Sequence, residues 1–170
     1  MAVEELGLLP AGRIARLRPM DAVTAAAVSE ILAEMAPWSR LGSSPKALAQ
    51  SMIPAHGSNV RSWCLTVDGE TAGVVVVYDG WLMGPYLRRL AVLPGYQRLG
   101  LAQAVLAWWE AGARRAGSRN LWLCVSDFNT PAQALYEGAG FREAAVLNDL
   151  VADGLDEILM RKQLKSAPTP

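Results

Sequence analysis

Polar and apolar positions alternate along Arg13-Ile14-Ala15-Arg16-Leu17-Arg18, the period of a half-buried strand. Pro19 stops it. Asp21 then stands where a helix N-cap belongs, and Thr24, Val28, Ile31, Leu32 and Met35 recur behind it at helical spacing. Pro37 closes that helix. Ser44-Pro45 supplies a cap and a first-turn proline for a shorter helix through Met52. Two β-rich runs, Arg61 to Val67 and Thr71 to Tyr78, flank Asp68-Gly69-Glu70, which predicts a hairpin. A Gly/Pro-punctuated turn over Asp79 to Pro85 leads to a strand from Tyr86 to Leu93. A helix from about Leu99 to Ala116 follows, with Arg114 and Arg115 in its last turn and Gly117 beyond.

The apolar run Leu121 to Val125 reads as a buried strand, so strand, helix and strand form a right-handed parallel crossover. Thr130-Pro131-Ala132-Gln133 fits a capping box opening a helix to about Ala139, with Gly140 as terminator. Phe141 to Val146 and Asp156 to Lys162 predict a closing antiparallel pair. Residues 1–12 read as a loose leader and 166–170 as a disordered tail, which leaves one domain over residues 1–165. The expected fold class is α/β, an α+β arrangement on a mixed sheet, with about seven strands and four helices.

Composition narrows the chemistry. Sixteen basic residues balance sixteen acidic ones, so no net basic surface favours nucleic acid. A single histidine, His56, leaves no histidine ligand set for a catalytic metal. Cys64 and Cys124 lie in apolar runs outside any CxxC pair and read as buried thiols. No signal peptide and no membrane-spanning run is visible, which makes a cytoplasmic protein the expectation.

The segment Leu90-Ala91-Val92-Leu93-Pro94-Gly95-Tyr96-Gln97-Arg98-Leu99-Gly100-Leu101-Ala102 carries the strongest chemical signal. An apolar strand stops at a proline, and a Gly-bearing loop runs into a long helix. Such a loop presents unpaired N–H groups at the positive end of the helix and suits phosphate. The chain has no Gly-Lys-Ser/Thr for a P-loop, and Gly95 and Gly100 lack Rossmann spacing. Gln97-Arg98-Leu99-Gly100-Leu101-Ala102 instead fits Q/R-x-x-G-x-G/A, whose amides can converge on a pyrophosphate.

Taken with Asn129, Ala132, Leu135, Tyr136, Gly140 and Phe141 downstream, this motif resembles the GNAT superfamily of acyl-CoA-dependent N-acetyltransferases. The resemblance is close over residues 86–145. It implies acetyl-CoA as cofactor, wedged between parallel strands that splay apart, here those ending at Val92 and Val125. Backbone groups of Ala91 and Val92 would pair with the pantetheine arm, and the Val92 amide would polarise the thioester carbonyl. The backbone of Gln97, Arg98, Leu99, Gly100, Leu101 and Ala102 would hold the pyrophosphate, and Asn129 would contact pantetheine. Tyr136 matches the family tyrosine that gives a proton to the departing thiolate. Its alternative is a core ring with its hydroxyl on a backbone carbonyl, and Asn129 also suits a helix cap.

The partner implied is a small-molecule or peptide amine, with no nucleic acid and no membrane. The apolar surface of the closing strands is compatible with a homodimer. The alternative function is a non-catalytic acyl-CoA-binding regulatory module. No carboxylate occupies Gly84-Pro85-Tyr86-Leu87-Arg88-Arg89, where several family members place a general base; Asp79 and Asp149 are the remaining options considered. Arg88 fits either a substrate carboxylate or an ion pair with Glu70 or Asp79. Trp63, Trp122 and at least one of Trp108 and Trp109 read as core. Trp38 and Trp81 lie in loop-like segments near an entrance expected over Pro37 to Asn59.

Overall fold

The computed structural model describes residues 2–9 and 12–164, so the expected tail at 166–170 lies outside the described residues. The strands are β1 (Glu4–Leu8), β2 (Ile14–Pro19), β3 (Val60–Val67), β4 (Glu70–Trp81), β5 (Gly84–Val92), β6 (Asn120–Ser126), β7 (Arg142–Ala152) and β8 (Leu155–Gln163). The helices are α1 (Ala22–Ala33), α2 (Pro45–Met52), α3 (Leu101–Arg115) and α4 (Thr130–Gly138). The strands are hydrogen-bonded in the order β1-β2-β3-β4-β5-β6-β8-β7, a mixed sheet. The eighth strand is β1. The leader expected to be loose pairs antiparallel with β2, Glu4 opposite Leu17 and Leu8 opposite Ile14, with an irregularity between Glu5 and Gly7. Backbone pairing decides this strand, and its side-chain pattern gives little sign of it.

The chain divides into two compact units, one holding the residues through Val77 with Arg89–Val105, the other Tyr78–Arg88 with Leu106 onward. In the first unit, Asp21 caps α1: its Oδ1 accepts from the Thr24 N–H at 2.8 Å and its Oδ2 from Arg18 Nη1 at 2.7 Å. The Thr24 backbone bond and the Arg18 guanidinium hold that carboxyl well below the usual carboxylate range. The buried stripe of α1 is Ala25, Val28, Ser29 and Leu32; Ile31, expected inside, is exposed. The helix is turned so that its small residues face inward, where Val28 and Leu32 pack with Leu48 and Met52 of α2, Val74 and Val76 of β4, and Ala91 and Leu93. Each such apolar side chain contributes roughly 1.5–3 kcal/mol on full burial. Ser44 Oγ caps α2 through Ala47 N, as the Ser-Pro pair predicts. Asp68 and Gly69 both take positive φ, 53° and 91°, the conformation of the hairpin expected there.

In the second unit the turn expected over Asp79 to Pro85 shrinks to Leu82-Met83, because β4 runs on through Trp81 and β5 begins at Gly84. Met83 takes φ 63°, and Trp122 Nε1 donates to the Leu82 carbonyl at 3.0 Å. Strand β5 pairs in parallel with β6 at Tyr86 opposite Trp122 and Leu87 opposite Leu123. A Cβ on Gly84 would lie 1.9 Å from the Asn120 carbonyl oxygen, so a side chain there is excluded. β6 is antiparallel to β8 from Asn120 opposite Gln163 to Ser126 opposite Glu157, and β7 is antiparallel to β8. Trp109 stacks on Phe141, and Tyr136 meets Phe141 edge-on, each with ring centroids 6.1 Å apart.

The capping box at Thr130 does not form. Asn129 is the N-cap residue of α4, and Gln133 Nε2 reaches back to the Ser126 and Asp127 carbonyls at 3.1 and 2.7 Å. Gly140 ends the helix at φ 90°, with Phe141 N donating to the Tyr136 carbonyl at 3.0 Å.

Candidate active site

The phosphate-binding candidate lies wholly in the first unit up to the start of α3. Leu93 N donates to the Ala72 carbonyl at 2.8 Å, which ties the end of β5 to β4. The Ala91 carbonyl crowds Gly73, where a Cβ would stand 2.1 Å from its oxygen. Of the two residues expected to pair with a pantetheine arm, Ala91 thus has its carbonyl turned to β4. The Val92 carbonyl accepts from Gln97 Nε2 at 3.2 Å, so the Gln97 side chain braces the strand end.

Beyond it, Gly95, Arg98 and Gly100 take left-handed backbone conformations at φ 85°, 65° and 79°. For Arg98 that geometry costs about 1–2 kcal/mol, a cost held by the surrounding loop. Nothing lies within 4 Å of a Cβ built on Gly100, so its torsion rather than protein crowding calls for glycine. Left-handed residues interleaved ahead of a helix turn successive N–H groups inward, the arrangement that receives anions. Leu99 and Ala102 complete the turn, and Leu101 is buried. Tyr96 packs against the core of this unit with Arg13 over its ring at 5.6 Å.

The second unit carries a polar row on one sheet face. Directly paired residues share a face, and alternate residues along a strand return to it. Trp122, Cys124 and Ser126 of β6 therefore line up with Tyr86 of β5 and with Glu157, Leu159 and Arg161 of β8. Ser126 Oγ donates to Glu157 Oε1 at 2.6 Å. The Tyr86 hydroxyl and the Cys124 thiol are hydrogen-bonded. Burial pushes Glu157 above its ordinary range, and the neighbouring Asp127 adds to this against the Ser126 bond. Burial also raises the Tyr86 hydroxyl and the Cys124 thiol, so both hold their protons at neutral pH.

Tyr136 is buried at 8% exposure, and burial together with the Glu157 charge pushes its hydroxyl up to about 12. A protonated phenol at that position can donate, and it resists ionisation throughout the working range of an enzyme. Asn129 is half-buried and its side chain makes no capping hydrogen bond, which leaves its amide available to a ligand.

Other candidates fall elsewhere. Arg88 is exposed, and neither of the ion pairs considered for it is present among the described residues. Asp149 Oδ1 accepts from Gly154 N at 2.6 Å and Asp156 Oδ1 from Asp149 N at 2.9 Å, which engages Asp149 with the β7–β8 turn from within the last part of β7. Trp63, Trp109 and Trp122 are core, as expected; Trp81 ends β4 and meets Tyr86 at 5.6 Å. Cys64 is buried and Cys124 half-buried, both free thiols. Among the described residues no cluster suits a metal ion, and no helix is long and apolar enough to cross a membrane. Sequence reading missed Glu157. It was one charge in a closing strand, and only the β6–β8 register sets it opposite Ser126.

The model of the acetyltransferase (GNAT) family matches residues 25–141. An N-alpha-acetyltransferase of Sulfurisphaera tokodaii is 33% identical over 110 residues, which span 58% of this chain and 66% of that protein. The ribosomal protein bS18-alanine N-acetyltransferase of Escherichia coli K12 is 32% identical over 107 residues, 62% of this chain and 72% of that one. The crystal structure of the ribosomal-protein-S18-alanine N-acetyltransferase from E. coli superposes with a TM-score of 0.71 at 26% identity, covering 90% of this chain and 96% of that one.

Proposed function

From the premise that this chain belongs to the GNAT acetyltransferase family, we propose that it moves the acetyl group of acetyl-CoA to a peptide α-amine by direct attack in a ternary complex. The observation that carries the acetyl-CoA part is the loop before α3, with left-handed Arg98 and Gly100 just ahead of the helix and no protein atom within 4 Å of a Cβ built on Gly100. The peptide acceptor is supported by two relatives, one named an N-alpha-acetyltransferase and the other a ribosomal protein bS18-alanine N-acetyltransferase. An α-amine, with a pKa near ~8, is also about a tenth unprotonated at neutral pH, so it demands less of a base than a lysine does.

In this reading residues 1–165 act as one acetyltransferase domain. The backbone of Gln97, Arg98, Leu99, Gly100, Leu101 and Ala102 holds the diphosphate. The main chain of Ala91 and Val92 pairs with the pantetheine arm, with the Val92 N–H as donor to the carbonyl that becomes an oxyanion. Asn129 contacts pantetheine, and Tyr136 is the acid for the leaving thiolate. Acetyl-CoA supplies an acyl group activated as a thioester, and the chain's residues position it and move protons. A covalent acyl-enzyme has little support: Cys124 keeps its proton and hydrogen-bonds Tyr86. Exposed Val146, Leu150 and Val151 on β7 support a homodimer.

The test is thiol release from acetyl-CoA in the presence of peptides with free N-terminal alanine, against spermidine and lysine as competing acceptors. Intersecting initial-velocity patterns are expected for the peptide. Parallel patterns would remove the ternary complex. Binding of acetyl-CoA with no acetylation of any acceptor would favour the non-catalytic module.

A further inference from the structure

We propose that Glu157 accepts the proton of the incoming ammonium group, and that the Ser126 hydroxyl holds its carboxylate in place. This rests on the acetyl-transfer reading above. Glu157 is the one carboxylate among the described residues that is buried, at 8% exposure, and it makes no ion pair there. A buried carboxylate with no cation costs several kcal/mol of desolvation, and such a group is retained where chemistry uses it. Its place in the ladder is fixed. Glu157 stands opposite Ser126 on β6, whose Oγ occupies Oε1 at 2.6 Å and leaves the second oxygen for another donor.

The charged and titratable groups around it come from every neighbouring element. Cys124 lies on β6 and Asp127 just past it, Tyr86 on β5 and Tyr136 on α4. The β7 partner is Leu147, and the next residue on β8 is Asp156, already engaged with Asp149 N. None of these is a cation; Arg161, farther along the same face of β8, donates to Asn120 Oδ1 at 2.8 Å and lies over the Trp122 ring. Burial and Asp127 therefore bring the carboxylate's affinity for a proton closer to that of an amine, which suits a general base.

The proton count closes. Glu157 takes one proton from R–NH3+ and becomes a carboxylic acid. The free nitrogen attacks the thioester carbonyl, the C–N bond forms and the C–S bond breaks. The thiolate takes the Tyr136 proton, and the second nitrogen proton restores Tyr136. Glu157 then gives its proton to water, so ammonium and thioester yield amide, thiol and one proton.

The experiment compares wild type, Glu157→Gln, Glu157→Asp and Ser126→Ala in pH profiles of kcat with acetyl-CoA and a hexapeptide beginning with alanine. Acetyl-CoA affinity and thermal unfolding are measured alongside. Glu157→Gln should lose about 10²–10³-fold in kcat, keep KM for acetyl-CoA within about twofold, and lose the acid limb. Ser126→Ala removes a bond that favours the charged form, so its acid limb should move to higher pH. If Glu157→Gln stays within about threefold of an active wild type and keeps the limb, the assignment falls and the acetyl-transfer reading stands. An unmoved limb in Ser126→Ala would overturn it as well, even where Glu157→Gln does not fold. If wild type binds acetyl-CoA but acetylates nothing, or does not bind it, the reading itself fails and takes this inference with it.

Discussion

Ser126 and Glu157 face each other across the β6–β8 ladder, hydroxyl to carboxylate at 2.6 Å, on a sheet face they share with Tyr86, Trp122, Cys124, Leu159 and Arg161. The Glu157 carboxyl is raised by burial, so the folded state holds its proton more tightly than the unfolded chain does. Stability from this group is complete below the unfolded value near ~4.3 and is lost as pH rises through the folded value. Glu157→Gln should therefore be more stable than wild type at pH 8, with the gap closing by pH 4. Urea unfolding at the two pH values reads this directly; a gap that is equal at both would contradict it.

Gly73 and Gly100 should respond oppositely to alanine. At Gly73 the new methyl would meet the Ala91 carbonyl oxygen at 2.1 Å, a backbone atom that cannot swing aside. Gly73→Ala should cost more than about 3 kcal/mol in urea unfolding. At Gly100 the methyl meets nothing, and only the φ of 79° opposes it, at about 1–2 kcal/mol. Gly100→Ala should weaken acetyl-CoA binding about tenfold or more in calorimetry while the chain stays folded.

Tyr136→Phe removes one hydroxyl from a ring that keeps its edge contact with Phe141. Melting temperature should change by only a few degrees, and kcat should fall about 10²-fold. Because the hydroxyl is pushed up to about 12, the wild-type profile should show no alkaline limb from Tyr136 below pH 10. A Tyr136→Phe variant with undiminished kcat would leave the tyrosine as packing alone.

Lys162 Nζ donates both to Glu110 Oε2 and to the Ala139 carbonyl, with side chains about a fifth exposed. Lys162→Ala should cost about 1–3 kcal/mol. Burial alone would raise the Glu110 carboxyl, but the hydrogen bonds from Lys162 and Arg114 outweigh it and hold the group low. Its contribution is present above the ordinary carboxylate value and lost as pH falls through the lowered one. The deficit of Lys162→Ala should accordingly shrink in acid unfolding experiments.

Local signals carried the parts of the fold whose energetics are local. Ser44-Pro45 places α2, Asp68-Gly69 makes a left-handed hairpin, and Gly117 and Gly140 stop helices, because each acts through torsions or hydrogen bonds a few residues apart. The turn expected over Asp79 to Pro85 is there but shorter, because β pairing on both sides overrode two glycines and a proline. The capping box expected at Thr130 does not form: Asn129 stands at the N-cap position, without a side-chain cap bond. The helical stripe of α1 was right in period and wrong in phase, since the surface it packs on sets its rotation.

The motif-bearing stretch from the strand ending at Val92 through the loop at Gly100 to Tyr136 and Phe141 was legible in residue spacing alone. Those residues act through torsion, helix polarity and chain order, which spacing records. Contacts between distant strands set the rest: residues 4–8 pair as β1, the Ala91 carbonyl turns to Gly73, and Glu157 sits buried against Ser126. Each of these is a contact between strands distant in sequence, fixed by ladder register, and register is a property of two chains of residues meeting rather than of either one read alone.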